Sequence, residues 1–291
     1  MKRTVSRVAL LLLLAVGCNK NETPKIPTNP DTPGNPTVPA DREIAISAVI
    51  AASRAPQLDE DGGGIFSAND TFTLYAYDGN GGSAMWNYTV GASNLYWRDV
   101  TFASEGKRVS FAACYPQQVL DKGMFDFTVT QNADGDLLLV TGKEVVVGME
   151  QPVELTFRHV MHRLTMRVTI EDESVDAETI ELLCTAHASG RFDLSTGKYL
   201  LNNTKKTFSA SKQDAKFILY PQPTSEVSLE VRAGGLTKHW TLSELDPKQE
   251  ELEPGKELEV ELTIKNGTIQ FSGMTIEGWG NQGTIDGEII L

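Results

Sequence analysis

The sequence predicts an all-β protein made of antiparallel β-sandwiches, and three observations predict this class. Several segments alternate apolar and polar residues with a period of two, which is the pattern of a strand with one buried face. Turn signals such as "DGNGG", "STGK" and "EPGK" separate these segments. The chain contains no long amphipathic pattern of period 3.6, and only residues 242–245 are compatible with a short helical turn.

The alternating segments begin after residue 42. The first of them, "EIAISAVI", places four apolar residues on one face: Ile44, Ile46, Ala48 and Ile50. The same alternation recurs at residues 71–77 ("TFTLYAY"), 108–115 ("RVSFAACY"), 226–233 ("EVSLEVRA") and 257–264 ("ELEVELTI"). In residues 71–77 the pattern buries Phe72 and turns Tyr75 to the opposite face.

Two similar tetrapeptides favour two related sandwiches in tandem. "CYPQ" at residues 114–117 and "LYPQ" at residues 219–222 each follow an apolar strand, which the proline ends. We therefore predict an N-terminal sandwich over residues 43–152 and a C-terminal sandwich over residues 153–291. Chance recurrence of a short motif is the alternative explanation.

The N-terminus reads as a lipoprotein signal. Basic residues within the first seven positions precede an apolar run, residues 8–16, that is too short to span a bilayer. The run ends in "AVGC", which resembles a bacterial lipobox, so residues 1–17 are predicted to be removed and Cys18 to be lipidated. An ordinary signal peptide or a buried cysteine is the alternative. A multiply acylated Cys18 would be a stable membrane anchor.

Residues 18–42 form a predicted spacer after the lipid anchor. Prolines recur at every third position from residue 24 to residue 39. A polyproline II helix has three residues per turn, so this period is typical of an extended segment that spans about 50 Å at ~3.1 Å per residue. A featureless coil is the alternative, and either form holds the folded part away from the membrane.

The composition and motifs argue against several classes of function. The formal net charge of −13 disfavours nucleic acid as a partner, because an acidic surface repels phosphate. The chain has no G-x-S-x-G or Walker motif, so no catalytic residue is predicted. No cofactor is predicted either, and Asp59 and Asp61 in "DEDGGG" are read as a solvated loop rather than as a Ca²⁺ site.

Two kinds of residue leave alternatives open. Cys114 and Cys184 could pair in an exported protein or remain as two buried thiols. The four tryptophans could stack against a sugar, although such residues more often fill sandwich cores: Trp86, Trp97, Trp240 and Trp279.

The segment "LTFRHVMHRLTMRVTI", residues 155–170, contains the pair His159 and His162. Its apolar positions are odd up to Phe157 and even from Leu164, so the pattern shifts by one residue between them. We interpret the shift as a β-bulge near residues 160–162 within one core strand. Zinc would need a third and usually a fourth ligand, so no metal site is predicted and a structural role for the histidines is favoured.

Taken together, these motifs resemble the fimbrillin-like family, the subunits of type V pili. The resemblance rests on "SRAP" at residues 53–56, "FSANDTFTLYAY", "LTFRHVMHRLTMRVTI", "LEPGKELEVELTI" and a final "MTIEGWGNQG". It covers most of the folded part, and the order of the motifs is more specific than any single one. It implies two transthyretin-like β-sandwich domains, no catalytic activity and a place in a fimbria on the cell surface.

The resemblance also implies assembly by strand exchange. In such pilins a protease cuts after a basic residue behind the first strand, that strand leaves, and the C-terminal strand of another subunit replaces it. Arg54 is the matching cleavage candidate, and the strand that carries Ile44, Ile46, Ala48 and Ile50 is the one displaced. The donor candidate contains Ile285, Ile289 and Leu291.

Several alternatives remain at this stage. Arg54 is an ordinary loop arginine if the chain is a tip or anchor subunit, and the C-terminal strand can pack in its own domain. The implied partners are other pilus subunits and the outer membrane, with a glycan or protein on a host or bacterial surface as a further one. A surface glycan-binding lipoprotein is the competing function.

Overall fold

The structure is a computed structural model that describes residues 41–51, 66–131 and 135–278. Strands make up most of these residues, which confirms the predicted all-β class. In chain order they are β1 (Ile46–Ile50), β2 (Thr71–Tyr77), β3 (Ser83–Thr89), β4 (Arg108–Tyr115), β5 (Met124–Thr128), β6 (Leu138–Val146), β7 (Val153–His159), β8 (His162–Ile170), β9 (Glu181–His187), β10 (Ser189–Asp193), β11 (Tyr199–Leu201), β12 (Lys205–Ala210), β13 (Asp214–Leu219), β14 (Ser228–Ala233), β15 (Leu236–Thr241), β16 (Lys256–Lys265) and β17 (Thr268–Gly278).

Within the part of the chain that the structure describes, helical structure is confined to single turns. The short helix α1 (Leu242–Leu245) lies where the sequence predicted a helical turn. A capping box starts it, because the backbone N–H of Thr241 donates to the carboxylate of Glu244 at 2.7 Å. Among the described residues, 3₁₀ turns include Trp97–Asp99, Ala177–Thr179 and Thr224–Glu226.

The strands form four sheets. Their orders are β1-β7-β6-β4-β2-β3, β11-β10-β5, β12-β9-β14-β15 and β13-β8-β16-β17. Neighbouring strands pair antiparallel, with two exceptions: β1 runs parallel to β7, and β8 runs parallel to β16. Parallel neighbours need a long crossover connection, so each of these pairs joins segments that are far apart in the sequence.

Two clusters of buried apolar side chains hold the sheets together. The first, here called the N-terminal core, lies on one face of the six-stranded sheet and contains Ile44, Phe66, Phe72, Leu74, Ala76, Leu95, Trp97, Val100, Val109, Phe111, Ala113, Leu138, Val140, Val145, Val147, Val153, Leu155 and Phe157. The second, the C-terminal core, joins the two four-stranded sheets through residues such as Leu164, Met166, Leu182, Leu229 and Val260, and it extends to the three-stranded sheet through Phe125 and Phe192.

The segment at residues 155–170 corrects one prediction. It forms two strands in different sheets, β7 and β8, and the chain passes between them at residues 160–161. Odd residues such as Phe157 fill the N-terminal core, whereas even residues such as Leu164 fill the C-terminal core. The predicted β-bulge is therefore wrong, because the one-residue shift marks a change of sheet. The division into two sandwich domains at residue 152 stays a prediction, and β7, which follows it, pairs with β1 and β6.

Strand β2 differs from its predicted one-sided burial. Phe72 is fully buried as expected, but Thr73 is also fully buried and Tyr75 is only 9% exposed. The loop after β4 covers this second face. The hydroxyl of Thr73 donates to the carbonyl of Gln118 at 2.7 Å and accepts from the N–H of Gln118 at 2.8 Å.

Candidate functional site

The first strand, β1, lies at an edge of the six-stranded sheet, and β7 is its strand neighbour there. All five residues of β1 pair with β7 in parallel register, from Ile46 opposite Val153 to Ile50 opposite Phe157. Hydrogen bonds close both ends of the ladder: the N–H of Val153 donates to the carbonyl of Ala45 at 2.8 Å, and the N–H of Ala51 donates to the carbonyl of Phe157 at 2.7 Å.

The apolar face of β1 covers the N-terminal core, as the alternation predicted. Ile44 is 3% exposed and belongs to this core, while Ile46, Ala48 and Ile50 are half-buried and pack against it. Val49, on the opposite face, is 41% exposed. β1 is thus attached by one hydrogen-bond ladder and one row of side chains, whereas an interior strand has a ladder on each side.

β7 depends on β1 for most of its backbone pairing. On its other side β6 pairs with β7 only at two positions, Leu138 with His159 and Leu139 with Arg158. Removing β1 would therefore leave the backbone groups of β7 without partners along a groove floored by Val153, Leu155 and Phe157, all fully buried in the intact protein. Unpaired backbone groups at such a groove are costly, so the pairing with β1 stabilises this edge of the sheet.

The residues just before β1 are held by a second set of contacts. The N–H of Ile44 donates to the carbonyl of Leu95 at 2.6 Å, and the N–H of Trp97 donates to the carbonyl of Arg42 at 3.0 Å. The Arg42 guanidinium donates to the carbonyl of Gly148 at 2.7 Å and lies 3.1 Å from the carboxylate of Glu150. Sequence reasoning missed these contacts, because they join segments more than fifty residues apart.

An aromatic cluster lies in the N-terminal core beside β7. The ring of Phe66 packs edge-to-face on Phe157 with centroids 4.7 Å apart, and Phe72 packs on the same ring at 5.1 Å. Phe66 is the first residue described after the segment that contains Arg54. Phe66 itself is buried in the core that β1 covers.

Several predicted site residues lie outside the described residues. They are the lipidation candidate Cys18, the cleavage candidate Arg54 and the donor-strand candidates Ile285, Ile289 and Leu291, together with Asp59, Asp61 and Trp279. Of the residues predicted to take part in strand exchange, those of the strand predicted to be displaced lie within the described residues.

The two histidines of the His-x-x-His pair have separate structural partners. Nδ1 of His159 lies 2.5 Å from the carboxylate of Asp136, and Nδ1 of His162 lies 2.9 Å from the carbonyl of Glu253. His162 is fully buried, and burial lowers its pKa to about 4. Among the described residues, no three His, Cys, Asp or Glu side chains are grouped so as to hold a metal ion.

The two cysteines are free, buried thiols. Cys114 on β4 and Cys184 on β9 are both fully buried in the C-terminal core. Burial raises the pKa of Cys114 to about 12 and also raises that of Cys184, so both stay protonated and unreactive in the folded protein. The alternative of two buried thiols is the one that the structure shows.

The tryptophans do not form a common platform on the described surface. Trp97 is 5% exposed and donates from its indole N–H to the carbonyl of Met149 at 3.2 Å. Trp86 packs against the N-terminal core and Trp240 against the C-terminal core, and both are half-buried.

The described helices include none with the length and apolarity that a membrane span requires.

Comparison with known proteins identifies the family. The model of the family described as fimbrillin-like matches residues 53–279 of the 291. A crystal structure of a candidate cell adhesion protein from Bacteroides uniformis is similar with a TM-score of 0.61 and 16% sequence identity, over 83% of this chain and 99% of that one. A second candidate adhesion protein, from Bacteroides ovatus, is similar with a TM-score of 0.58 and 18% identity, over 82% of this chain and 98% of that one.

These identities are low, so the two structures support the fold alone. Comparison with curated protein sequences gave no match. The family model covers far more than half of the chain, including β2 to β17 and the segment that carries Arg54. The chain belongs to the fimbrillin-like family.

Proposed function

We propose that this protein is a structural or adhesive subunit of a cell-surface pilus and that it assembles by strand exchange. Membership of the fimbrillin-like family supports the pilus role. The observation that carries the exchange mechanism is the position of β1, an edge strand that supplies most of the backbone pairing of β7 and covers the N-terminal core.

Exchange begins with a cut after Arg54. This residue follows β1 by four positions, so the cut frees the C-terminal end of β1 while its N-terminal end remains held at Arg42 and Ile44. β1 then retains its ladder with β7 and its contacts before residue 46, but it is no longer continuous with the rest of the fold. A competing strand can then replace β1 one residue pair at a time. Backbone pairing with β7 supplies the affinity of the new strand, and its alternate side chains set the register.

The incoming strand in this proposal is the C-terminal segment of another subunit. Ile285, Ile289 and Leu291 have the same parity, so an extended strand would place them on one face. That face matches the requirement of the vacated groove, where Ile46, Ala48 and Ile50 pack in the intact protein. The replacement strand would restore both the ladder to β7 and the apolar cover.

Export as a lipoprotein completes the proposal. Lipidation of Cys18 would attach the newly exported subunit to the outer membrane, and the proline-rich residues 18–42 would hold β1 away from the bilayer. Arg54 lies beyond this spacer, so displacement of the cut β1 would both free the groove and release the subunit body from its anchor. We assign no enzymatic activity and no cofactor to this chain.

Arg-specific proteolysis of the purified chain tests the proposal. The expected product starts at Ala55, and size-exclusion chromatography with light scattering should show polymers after cleavage. Arg54→Gln should remain intact at this site and monomeric. Arg191→Gln, which removes a half-exposed arginine on β10, is the matched control and should be cleaved and polymerise like the original protein.

A chain that stays intact and monomeric under these conditions would contradict assembly as a stalk subunit. Equal polymerisation of the Arg54→Gln variant and the original protein would contradict the assigned cleavage site.

A further inference from the structure

A second surface feature lies at the other edge of the six-stranded sheet, at the turn between β2 and β3. It is a cavity of about 350 Å³, formed by three segments of the chain. Its lining residues are Tyr75, Tyr77, Gly79, Gly81, Gly82, Ser83, Lys122 and Ser195. The volume lies within the ~300–1,000 Å³ range that is typical of small-molecule sites.

Two tyrosine rings form the apolar wall of this cavity. Tyr75 and Tyr77 are two residues apart on β2, so they project from the same face, and their rings stack with centroids 5.5 Å apart and an interplanar angle of 22°. The hydroxyl of Tyr77 donates to the carbonyl of Ser195 at 3.3 Å. The ring of Tyr77 is only half-buried, so a fixed aromatic surface remains available to a ligand.

The β2–β3 turn forms a preorganised rim. The Asp78 carboxylate accepts hydrogen bonds from the N–H of Asn80 at 2.8 Å and from the N–H of Gly82 at 2.9 Å. Gly79 and Gly81 have φ angles of +76° and +98°, which glycine adopts without strain. A Cβ at either position would meet nothing within 4 Å, so the space above the turn is open.

Lys122 supplies the cationic side of the cavity. It has a φ of +52°, an uncommon backbone conformation for a residue other than glycine. Gly123 follows it, and a Cβ there would lie 3.1 Å from a ring carbon of Tyr75, so the loop passes tightly against that ring. The Lys122 side chain is exposed and makes no ion pair with any residue that the structure describes, so its ammonium group can bind a ligand.

We propose that this cavity binds a single sugar residue of a glycan. A pyranose ring has an apolar C–H face that can stack on Tyr77, as an aromatic ring with a polar tip allows. Its hydroxyl groups both donate and accept hydrogen bonds, and the Ser83 hydroxyl and the Lys122 ammonium match them. The Ser195 hydroxyl donates to the Asp193 carboxylate at 2.6 Å, so it can accept a hydrogen bond from the sugar. A nucleotide fits less well, because the net charge of −13 repels phosphate.

The site is separate from the proposed exchange groove. The order β1-β7-β6-β4-β2-β3 puts β1 at one edge of the sheet and the β2–β3 turn at the other. Sugar binding goes beyond the pilus function and does not rest on it, because the cavity is complete in the uncleaved chain. A subunit could therefore bind a glycan before and after assembly.

Titration calorimetry on the full chain, uncleaved, tests the inference. The probes are the methyl glycosides of glucose, galactose, mannose and N-acetylglucosamine, with methyl glucuronide as an acidic sugar. At least one should bind, and Tyr77→Ala should weaken its binding roughly tenfold or more. Ser83→Trp, which adds a bulky ring at an exposed lining position, should abolish binding while the far-UV circular dichroism spectrum stays unchanged.

Two lysine variants test whether Lys122 contacts the bound sugar. Lys122→Gln should weaken methyl glucuronide more than the neutral sugars, whereas Lys238→Gln, the matched change at an exposed lysine on β15, should change neither. Absence of binding by all five probes would overturn the proposal, and so would binding that Ser83→Trp leaves intact. Neither result would bear on strand exchange, which the Arg54 experiment tests separately.

Discussion

Mild acid should destabilise the protein through His162. This side chain is fully buried at the start of β8, its Nδ1 lies 2.9 Å from the Glu253 carbonyl, and its Nε2 makes no hydrogen bond within the described structure. Loss of hydration on burial is the main cause that lowers its pKa from 6.5 to about 4, against smaller opposing effects of the Glu253 carbonyl and the Glu257 carboxylate. The imidazole is therefore neutral in the folded protein.

The size of the effect follows from linkage. Because the unfolded chain binds the proton first, the stability contribution of His162 is complete above pH 6.5 and is lost as the pH falls towards 4. A pKa difference of about 2.5 corresponds to a maximum of about 3 kcal/mol, at 1.36 kcal/mol for each pKa unit. Between pH 7 and pH 5 the free energy of unfolding should fall by about 2 kcal/mol from this residue alone.

Urea unfolding at pH 7 and pH 5 measures this loss. His162→Asn is the informative variant, because its side-chain amide can still donate to the Glu253 carbonyl but does not titrate. The original protein should lose about 2 kcal/mol more than this variant between the two pH values. His239→Asn, at an exposed histidine on β15, is the matched control and should behave like the original. Equal losses in the original protein and in His162→Asn would refute the reasoning.

Two further changes test the packing of the fold by urea unfolding. Ile44→Ala should destabilise the protein by about 2–5 kcal/mol, because it empties a buried core position two residues before β1. Val49→Ala on the exposed face of β1 should cost about 0.5 kcal/mol, and equal effects would mean that the segment leading into β1 does not pack in the core. Glu257→Gln should cost about 3–5 kcal/mol, because Arg163 and Glu257 form a buried ion pair at 2.5 Å. Glu259→Gln, which affects a more exposed pair on the same strand, should cost less than about 1 kcal/mol, and a cost as large as that of Glu257→Gln would contradict this explanation.

Features determined by local sequence were predictable. The period of two gave the buried face of β1 correctly, because alternate side chains on a strand must point to opposite faces. The helical turn α1 was predictable for a similar reason, since its capping box lies within four consecutive residues, from Thr241 to Glu244.

Features determined by distant contacts were not predictable from one sequence. A β-bulge and a change of sheet both shift the apolar pattern by one residue, so residues 155–170 could not distinguish them. The burial of Tyr75 depends on the loop around Gly123, and the proposed sugar site also needs Ser195, about 120 residues further along the chain. Periodicity reports which face of a strand is apolar but does not report which segment covers the opposite face.

Hydrogen–deuterium exchange at β7 tests the central claim most directly. The backbone amides of Val153–His159 should be protected in the intact chain, because β1 pairs along the strand. After Arg-specific cleavage and loss of β1 the monomer should exchange these amides faster, and the assembled polymer should protect them again. Unchanged protection of β7 in all three states would contradict strand exchange at β1.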